Sequence, residues 1–572
     1  MPKDMKATDA LGISIGQYSS TGRKPQNQDF HGALIPTGPA LALKGVTLAV
    51  ADGISSSAVS AEASEIAVKS LLTDYYATSD AWTVKTSALQ VIAATNAWLH
   101  GQNSTVSDIN AGRVCTLSTL ILKGREGHIL HVGDSRVQRL SGTSLEPLTD
   151  DHRMTVSPEQ TFLARALGAG PEVKVDYRRV PLSKGDIFLL TTDGVHDVIE
   201  GSDVNSILQE AADLDSAAKK IADLAFNRAS DDNLTVQILR VDQLPAPGVN
   251  LQMEATQLPI PPLPGAGDII DGFRIVRSLH ATARSHVYLA IAPSGMRVAL
   301  KIPATETAQD GSYLNRFMLE EWIARRLSSP HVLSAAKVPE HRSALYVVTE
   351  YVEGATLRQW MTDNPKPSLD QVRGIITQIA TGLRAFHRRE MIHQDIRPEN
   401  IMIDNDGTVK IIDLGSASVA GVEEAAPGTL GAMPGTYQYT APEYLSGDAI
   451  SWRSDQYALG VIAYEMLTGR LPYGTQVARI RSRRDQMALH YQAARDEYTG
   501  VPDWMDTALH KMLHPDPIKR YDALTECVAD LKRPSNSWIS AHQRPLMERN
   551  PLRFWQGLCA ILALLCITLA AR

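Results

Sequence analysis

Cysteine is scarce in this chain, with four in 572 residues. That excludes a disulfide scaffold and fits reduced, cytosolic chemistry. An excess of basic charge is missing as well: 56 Lys and Arg stand against 63 Asp and Glu, for a net charge of −7. Without a basic footprint, no nucleic-acid partner is expected. The opening MPKDMKATDALGISIG lacks the apolar core of a secretory leader, so none is expected. No repeat recurs at periods of 20–50 residues, which argues against a solenoid or propeller.

What is present is enough apolar sequence, 44%, to build several cores. Pro245, Pro247, Pro259, Pro261, Pro262 and Pro264 crowd one stretch, so residues 242–267 read as a proline-stiffened linker. About 25 residues of such chain reach roughly 25–30 Å if flexible. The linker separates residues 1–241 from residues 268–535. A polar stalk is expected at 536–553. Phe554 to Ala571 carries no charge and would rise about 27 Å as a helix. Arg544, Arg549 and Arg553 precede it and only Arg572 follows. The expectation is a single C-terminal transmembrane helix over 554–571, with both large domains on the cytoplasmic side of the membrane.

In the first half, four β-rich runs border acidic residues. GVTLAVADG ends in Asp52-Gly53, HILHVGDSR contains Asp134, DIFLLTTDG ends in Asp193-Gly194, and Asp232 precedes the strand-like LTVQILRV. Such runs read as strands with turns at their ends. Carboxylates on converging strand ends would form an oxygen-rich cage for Mg²⁺ or Mn²⁺, and no paired His or Cys suggests zinc. Taken singly, each is an ordinary turn residue.

Taken in order, Asn27-Gln28-Asp29, Asp52-Gly53, Gly133-Asp134-Ser135-Arg136, Leu148-Thr149-Asp150-Asp151-His152, Arg165-Ala166-Leu167-Gly168, Asp193-Gly194-Val195 and Asp232-Asn233 form a specific set. Residues 10–241 resemble the metal-dependent protein phosphatases of type 2C. The resemblance implies an α/β/β/α sandwich and a site for two metal ions. Asp52 would bridge both ions, Asp193 and Asp232 would complete the shell of the first, and the Gly53 carbonyl would contact the second. Asp29 would be a ligand or a nearby acceptor, and Asp134 would hold a third, weaker ion. Lys24 stands where the family has a phosphate-binding arginine. Metal ions in such a site activate water for attack on phosphoserine or phosphothreonine. Two departures stand out: Gln28 replaces a Glu ligand of many relatives, and Ile54-Ser55-Ser56 replaces a stretch carrying a general-acid histidine.

The second half opens with a strand-like stretch closing in VALK (298–301), followed by a helix-like segment over 314–327 that carries Glu320. A helix Glu paired with a strand Lys301 would grip the α- and β-phosphates of ATP. His393-Gln394-Asp395-Ile396-Arg397-Pro398-Glu399-Asn400, Asp413-Leu414-Gly415, Ala441-Pro442-Glu443, Asp455 and Arg520 then follow in order. Residues 268–533 resemble eukaryotic-like Ser/Thr protein kinases, which implies a two-lobed fold. Asp395 would orient the substrate hydroxyl, Asn400 and Asp413 would hold Mg²⁺, and Lys301 with Glu320 would position the phosphates. Arg397, two beyond Asp395, favours Ser/Thr over Tyr substrates. Leu279 and Val287 would cover the nucleotide, and Glu350 to Val352 would read adenine.

The kinase-like half departs from the pattern at the phosphate loop, where Leu279-His280-Ala281-Thr282-Ala283-Arg284-Ser285-His286-Val287 lacks all three glycines. Bulkier residues should stiffen it. Gln394 replaces the Arg that pairs with a phosphorylated activation segment, whose candidate sites here are Ser416, Ser418, Thr429 and Thr436. The expectation is an α+β multidomain enzyme with opposed activities. It would phosphorylate protein Ser/Thr using ATP and Mg²⁺, and hydrolyse phosphoserine and phosphothreonine using Mn²⁺ or Mg²⁺. Its own kinase domain would be a substrate in cis. The alternative is an active phosphatase regulated by a nucleotide-sensing pseudokinase.

Overall fold

The computed structural model describes residues 11–105, 108–157, 160–245, 258–339, 342–425, 438–495, 500–543 and 551–570. It separates into two compact units. The first holds Met1–Met253 together with Val419–Gly431, and the second holds Glu254–Ser418 and Ala432–Arg572. Most of the expected linker, 246–257, lies outside the described residues, as do Thr429, Thr436 and positions 544–550 of the expected stalk.

The first unit is built on twelve strands: β1 (Gly12–Ser20), β2 (Asp29–Leu34), β3 (Val46–Asp52), β4 (Leu117–Lys123), β5 (Glu126–Val132), β6 (Arg136–Ser141), β7 (Ser144–Pro147), β8 (Arg153–Ser157), β9 (Gln160–Leu163), β10 (Asp176–Pro181), β11 (Ile187–Thr191) and β12 (Leu234–Gln243). Ten of them form two five-stranded antiparallel sheets, ordered β1-β12-β11-β6-β7 and β10-β5-β4-β3-β2. Alternation along the strands explains the layering. Val46, Leu48, Val50, Leu120, Leu122 and Ile129 point from one sheet toward Val137, Phe188, Leu190, Leu239 and Val241 of the other, and all are buried. The opposite faces carry helices. After the short helix α1 (Pro39–Lys44), helices α2 (Ser60–Ala77) and α3 (Val84–Gln102) cover the β3-containing sheet through Ala67, Leu71, Tyr75, Ala88 and Ile92. The pair Gly201–Glu210 and Leu214–Asn227 covers the other through Val204, Ala218, Ile221 and Ala225. The expected α/β/β/α sandwich is thus formed, and β8 and β9 add a small hairpin outside both sheets.

Register brings the acidic ends together. Asp29 sits opposite Asp52 across the β2–β3 pair. Asp193 follows β11 and Asp232 precedes β12, which pair with each other in the facing sheet. Gly53 has no room for a side chain, because a Cβ there would lie 2.7 Å from the Ser60 backbone.

In the second unit, Ile269–Ile270, Phe273–Ala281, Ser285–Ile291, Arg297–Pro303 and Val347–Glu350 form one five-stranded antiparallel sheet, in that order. Phe273, Ile275, Ala290, Leu300, Ile302 and Val348 make its core. The helix Gly311–Arg326 follows the fourth of these strands, close to its expected span, with the Asp310 side chain capping the Tyr313 N–H. The remainder is mainly helical, led by Leu369–His387 and Trp452–Thr468, each started by a serine capping box, with a small sheet of Gly354–Thr356, Ile401–Asp404 and Val409–Ile411.

The expected C-terminal transmembrane helix over 554–571 is not supported. Pro551–Ala570 is a helix, but among the described residues no helix is long and apolar enough to cross a membrane. Arg553 and Gln556 lie in the first two turns of Pro551–Ala570.

Candidate active sites

The first site lies where the strand ends of the first unit meet. Asp29 is buried, and its Oδ2 accepts from the hydroxyls of Thr192 (2.8 Å) and Thr235 (2.7 Å). Its Oδ1 is buried with no hydrogen-bond partner. Burial pushes this carboxyl up to about 6. Burial, followed by the charges of Asp29, Asp193, Asp134 and Asp232, drives the Asp52 carboxyl well above the carboxylate range. Asp193 is pushed up to about 7 by burial and then by Asp134 and Asp232. These five carboxylates therefore crowd one region that they cannot all ionise cheaply without added positive charge.

The chain supplies some of that charge itself. Arg153 donates through Nε to Asp134 at 2.7 Å and through Nη2 to Asp193 at 3.0 Å. Lys24 lies 3.2 Å from Asp232 and also donates to Ser55. Among the described residues, no three His, Cys, Asp or Glu side chains already converge at coordinating distance. The donor set nevertheless suits a hard divalent cation. It offers oxygen only, one oxygen is orphaned, and negative charge is in excess. Gln28 is buried and its amide is committed elsewhere, donating to the Ser57 carbonyl and the Ser60 hydroxyl, both at 2.7 Å.

The second site lies in the second unit. The Lys301 ammonium pairs with Glu320 at 2.6 Å. Burial alone would favour neutral lysine, but Glu320 and Asp413 outweigh it and hold Lys301 protonated. Burial likewise opposes ionisation of Asp413, yet Lys301 and the Gly415 N–H keep its carboxyl below the usual range. Asn400 donates to the carbonyl and to Oδ2 of Asp395, at 2.9 and 2.8 Å. Burial raises the Asp395 carboxyl, and Asp413 adds to that. Asp455 braces the loop by accepting the N–H groups of His393 and Gln394, both at 2.9 Å. Arg397 is turned aside to Glu399 at 2.8 Å.

The hairpin joining Phe273–Ala281 to Ser285–Ile291 closes on itself. Thr282 Oγ1 accepts the N–H groups of both Arg284 and Ser285, and the Thr282 N–H donates to the Ser285 carbonyl. Leu279 and Val287 flank it, half-buried. Glu350 ends the edge strand with its side chain held by Ser334 and Lys410, and Val352 is buried just beyond.

Comparison with known proteins finds two domain families in the chain. The family "Protein phosphatase 2C" matches residues 18–237, and the family "Protein kinase domain" matches residues 274–530. The chain joins a phosphatase 2C domain to a protein kinase domain. The kinase domain is 30% identical over 261 residues to the serine/threonine-protein kinase PrkC of Bacillus subtilis, covering 46% of this chain and 40% of that protein. It is 32% identical over 248 residues to PknB of Mycobacterium leprae, covering 41% and 38%. The chain thus spans less than half the length of these relatives. Among solved structures, PppA of Pseudomonas aeruginosa covers 41% of this chain and 99% of its own, at 22% identity and a TM-score of 0.35. A PstP catalytic domain solved with two manganese ions covers 40% and 97%, at 22% and 0.34. Protein kinases use ATP with Mg²⁺, and phosphatases of this family depend on Mn²⁺ or Mg²⁺.

Within the phosphatase domain, the structure groups Asp29, Asp52, Asp134, Asp193 and Asp232 at one end of the sandwich, with Gly53 and Lys24 beside them. Within the kinase domain it groups Lys301, Glu320, Asp395, Asn400 and Asp413. Three features went unread in sequence: the Arg153 fork, the two threonines holding Asp29, and Thr282 as the clasp of the hairpin. Arg153 follows Asp150-Asp151-His152 directly, so a cation next to an acidic motif was the available signal. The threonines lie in runs that read simply as strands. Glu443 and Arg520, both fully buried, pair through two 2.8 Å contacts as their motif positions suggest.

Proposed function

We propose that this chain is a bifunctional enzyme that phosphorylates Ser/Thr on proteins and hydrolyses phosphoserine and phosphothreonine. One observation carries the reading: two charge-coupled clusters, in separate units of a single chain, each suited to phosphate chemistry of opposite direction. In the phosphatase domain, Asp52 with the Gly53 carbonyl, Asp193 and Asp232 would hold two divalent ions, with Asp29 and Asp134 beside them. Bound there, such ions would lower the pKa of water and neutralise phosphoryl oxygens. Lys24 would receive the incoming phosphate. No histidine follows Gly53, so the leaving alkoxide would take its proton from water or another group.

In the kinase domain, Lys301, held by Glu320, would fix the ATP phosphates, and Asn400 and Asp413 would hold Mg²⁺. Asp395, oriented by Asn400, would accept the substrate hydroxyl proton. Leu279, Val287 and the Glu350–Val352 backbone would enclose the base. Positioning and charge neutralisation would supply the rate. The Lys301–Glu320 pair supports transfer, whereas the glycine-free hairpin is what favours the second reading, a nucleotide sensor without transfer.

The test is a pair of assays on the full chain. Asp52→Asn should cut manganese-dependent phosphate release from a phosphopeptide by about 100-fold or more while leaving transfer from ATP intact. Asp395→Ala should do the reverse. Equal labelling by Asp395→Ala and the parent would establish the sensor reading instead. The chain's own phosphorylated kinase domain is proposed as a phosphatase substrate. Asp52→Asn should then raise its phosphate content independently of enzyme dilution.

A further inference from the structure

The first unit contains a segment from within the kinase sequence. Residues 419–425 lie between Asp413 and Glu443, where a kinase keeps its activation segment, yet they pack as part of the phosphatase unit. They include the short helix Ala420–Ala425.

The contacts are specific. Lys123 ends β4, and its side chain is 0% exposed. Its ammonium lies 3.0 Å from Glu424 Oε2 and donates to the Gly421 carbonyl at 2.7 Å. The same Glu424 oxygen accepts the Val84 N–H at 2.8 Å, at the start of the nineteen-residue helix α3. Unpaired N–H groups and the helix dipole favour a carboxylate there. His128 Nδ1 lies 3.9 Å from the other Glu424 oxygen. One turn earlier, the Gly421 N–H donates to the Ala81 carbonyl at 2.9 Å. A Cβ on Gly421 would lie 2.6 Å from the Trp82 carbonyl oxygen and 2.7 Å from that of Asp80. Glycine is therefore required at one contact and an anion at the next.

A buried Lys–Glu pair is a costly way to stabilise a core, but it suits a contact that opens, because both charges regain water on release. The socket is also remote from the acidic site. Val46 pairs with Leu122, so Lys123 lies by the start of β3, while Asp52 ends it. Six residues of strand make that about 20 Å. A docked segment is thus held away from the carboxylates.

We propose that Lys123, His128 and the N-terminal end of α3 form a socket for the chain's own activation segment. The kinase reaches its full rate only when the Gly421–Glu424 turn leaves that socket. The rate effect rests on the kinase reading above; the docking itself does not.

The test uses the full chain. Hydrogen–deuterium exchange should show residues 80–86 and 419–425 protected in the parent. Gly421→Ala should expose both, with exchange in 419–425 about tenfold faster. Lys123→Met should act in the same direction. In the same samples, transfer from ATP to an added protein should rise severalfold, while phosphate release from a phosphopeptide stays constant. Exchange in 419–425 as fast in the parent as in Gly421→Ala would overturn the socket. Release of the segment without a change in transfer would overturn its regulatory role. Asp395→Ala run alongside separates these outcomes from failure of the kinase reading, since the exchange measurement needs no catalysis.

Discussion

Burial of charge distinguishes the residues that matter here, and its consequences can be measured one side chain at a time. Glu443 and Arg520 are fully buried and satisfy each other through two bonds. Glu443→Ala would strand a guanidinium in the core. It should cost about 3–5 kcal/mol of kinase-domain stability, read by urea unfolding. His128 shows the opposite case. Burial lowers it to about 4, so the folded chain keeps it neutral while the unfolded chain protonates it near its ordinary 6.5. The associated stability is complete above 6.5 and declines as pH falls toward 4. By pH 5 the loss should be about 2 kcal/mol, and His128→Gln should lack this loss when phosphatase-domain unfolding is compared at pH 7.5 and 5. Asp52, Asp193 and Asp232 of the acidic site could be read from sequence because they end strands in Asp-Gly or open one in Asp-Asn. Arg153 was harder to read: the acidic motif before it hints at a cation nearby, but the direction of a side chain in a small outlying hairpin is set by the fold.

At the scale of elements, the glycine-free hairpin carries the clearest expectation. Thr282 Oγ1 occupies the N–H groups of Arg284 and Ser285, so those donors are spent before any phosphate arrives. Thr282→Gly should free them. It should lower KM for ATP by about threefold, a change near 0.6 kcal/mol, with faster amide exchange across 281–286. An unchanged KM with loosened exchange would mean that the loop does not touch the phosphates. Strands with Val and Ile runs were legible because their period and their Asp-Gly ends agree. The helix 420–425 was not, since six residues carry too little periodicity.

At the scale of the whole molecule, the two units have separate cores, and thermal unfolding should resolve two transitions. Manganese should raise the one lost on disrupting the acidic site, and ATP with Mg²⁺ should raise the other, by calorimetry. Order in sequence and order in space differ, however. The first unit takes in Val419–Gly431 from far along the chain. Cutting the gene at the proline-rich stretch would therefore not yield two finished proteins. The front piece would present Lys123 and the head of α3 to solvent with no anion to meet them, and should be less stable than the same region in the intact polypeptide. A synthetic peptide spanning 419–431 added back should restore part of that stability, which makes dissection of this enzyme a question of where a border runs in three dimensions.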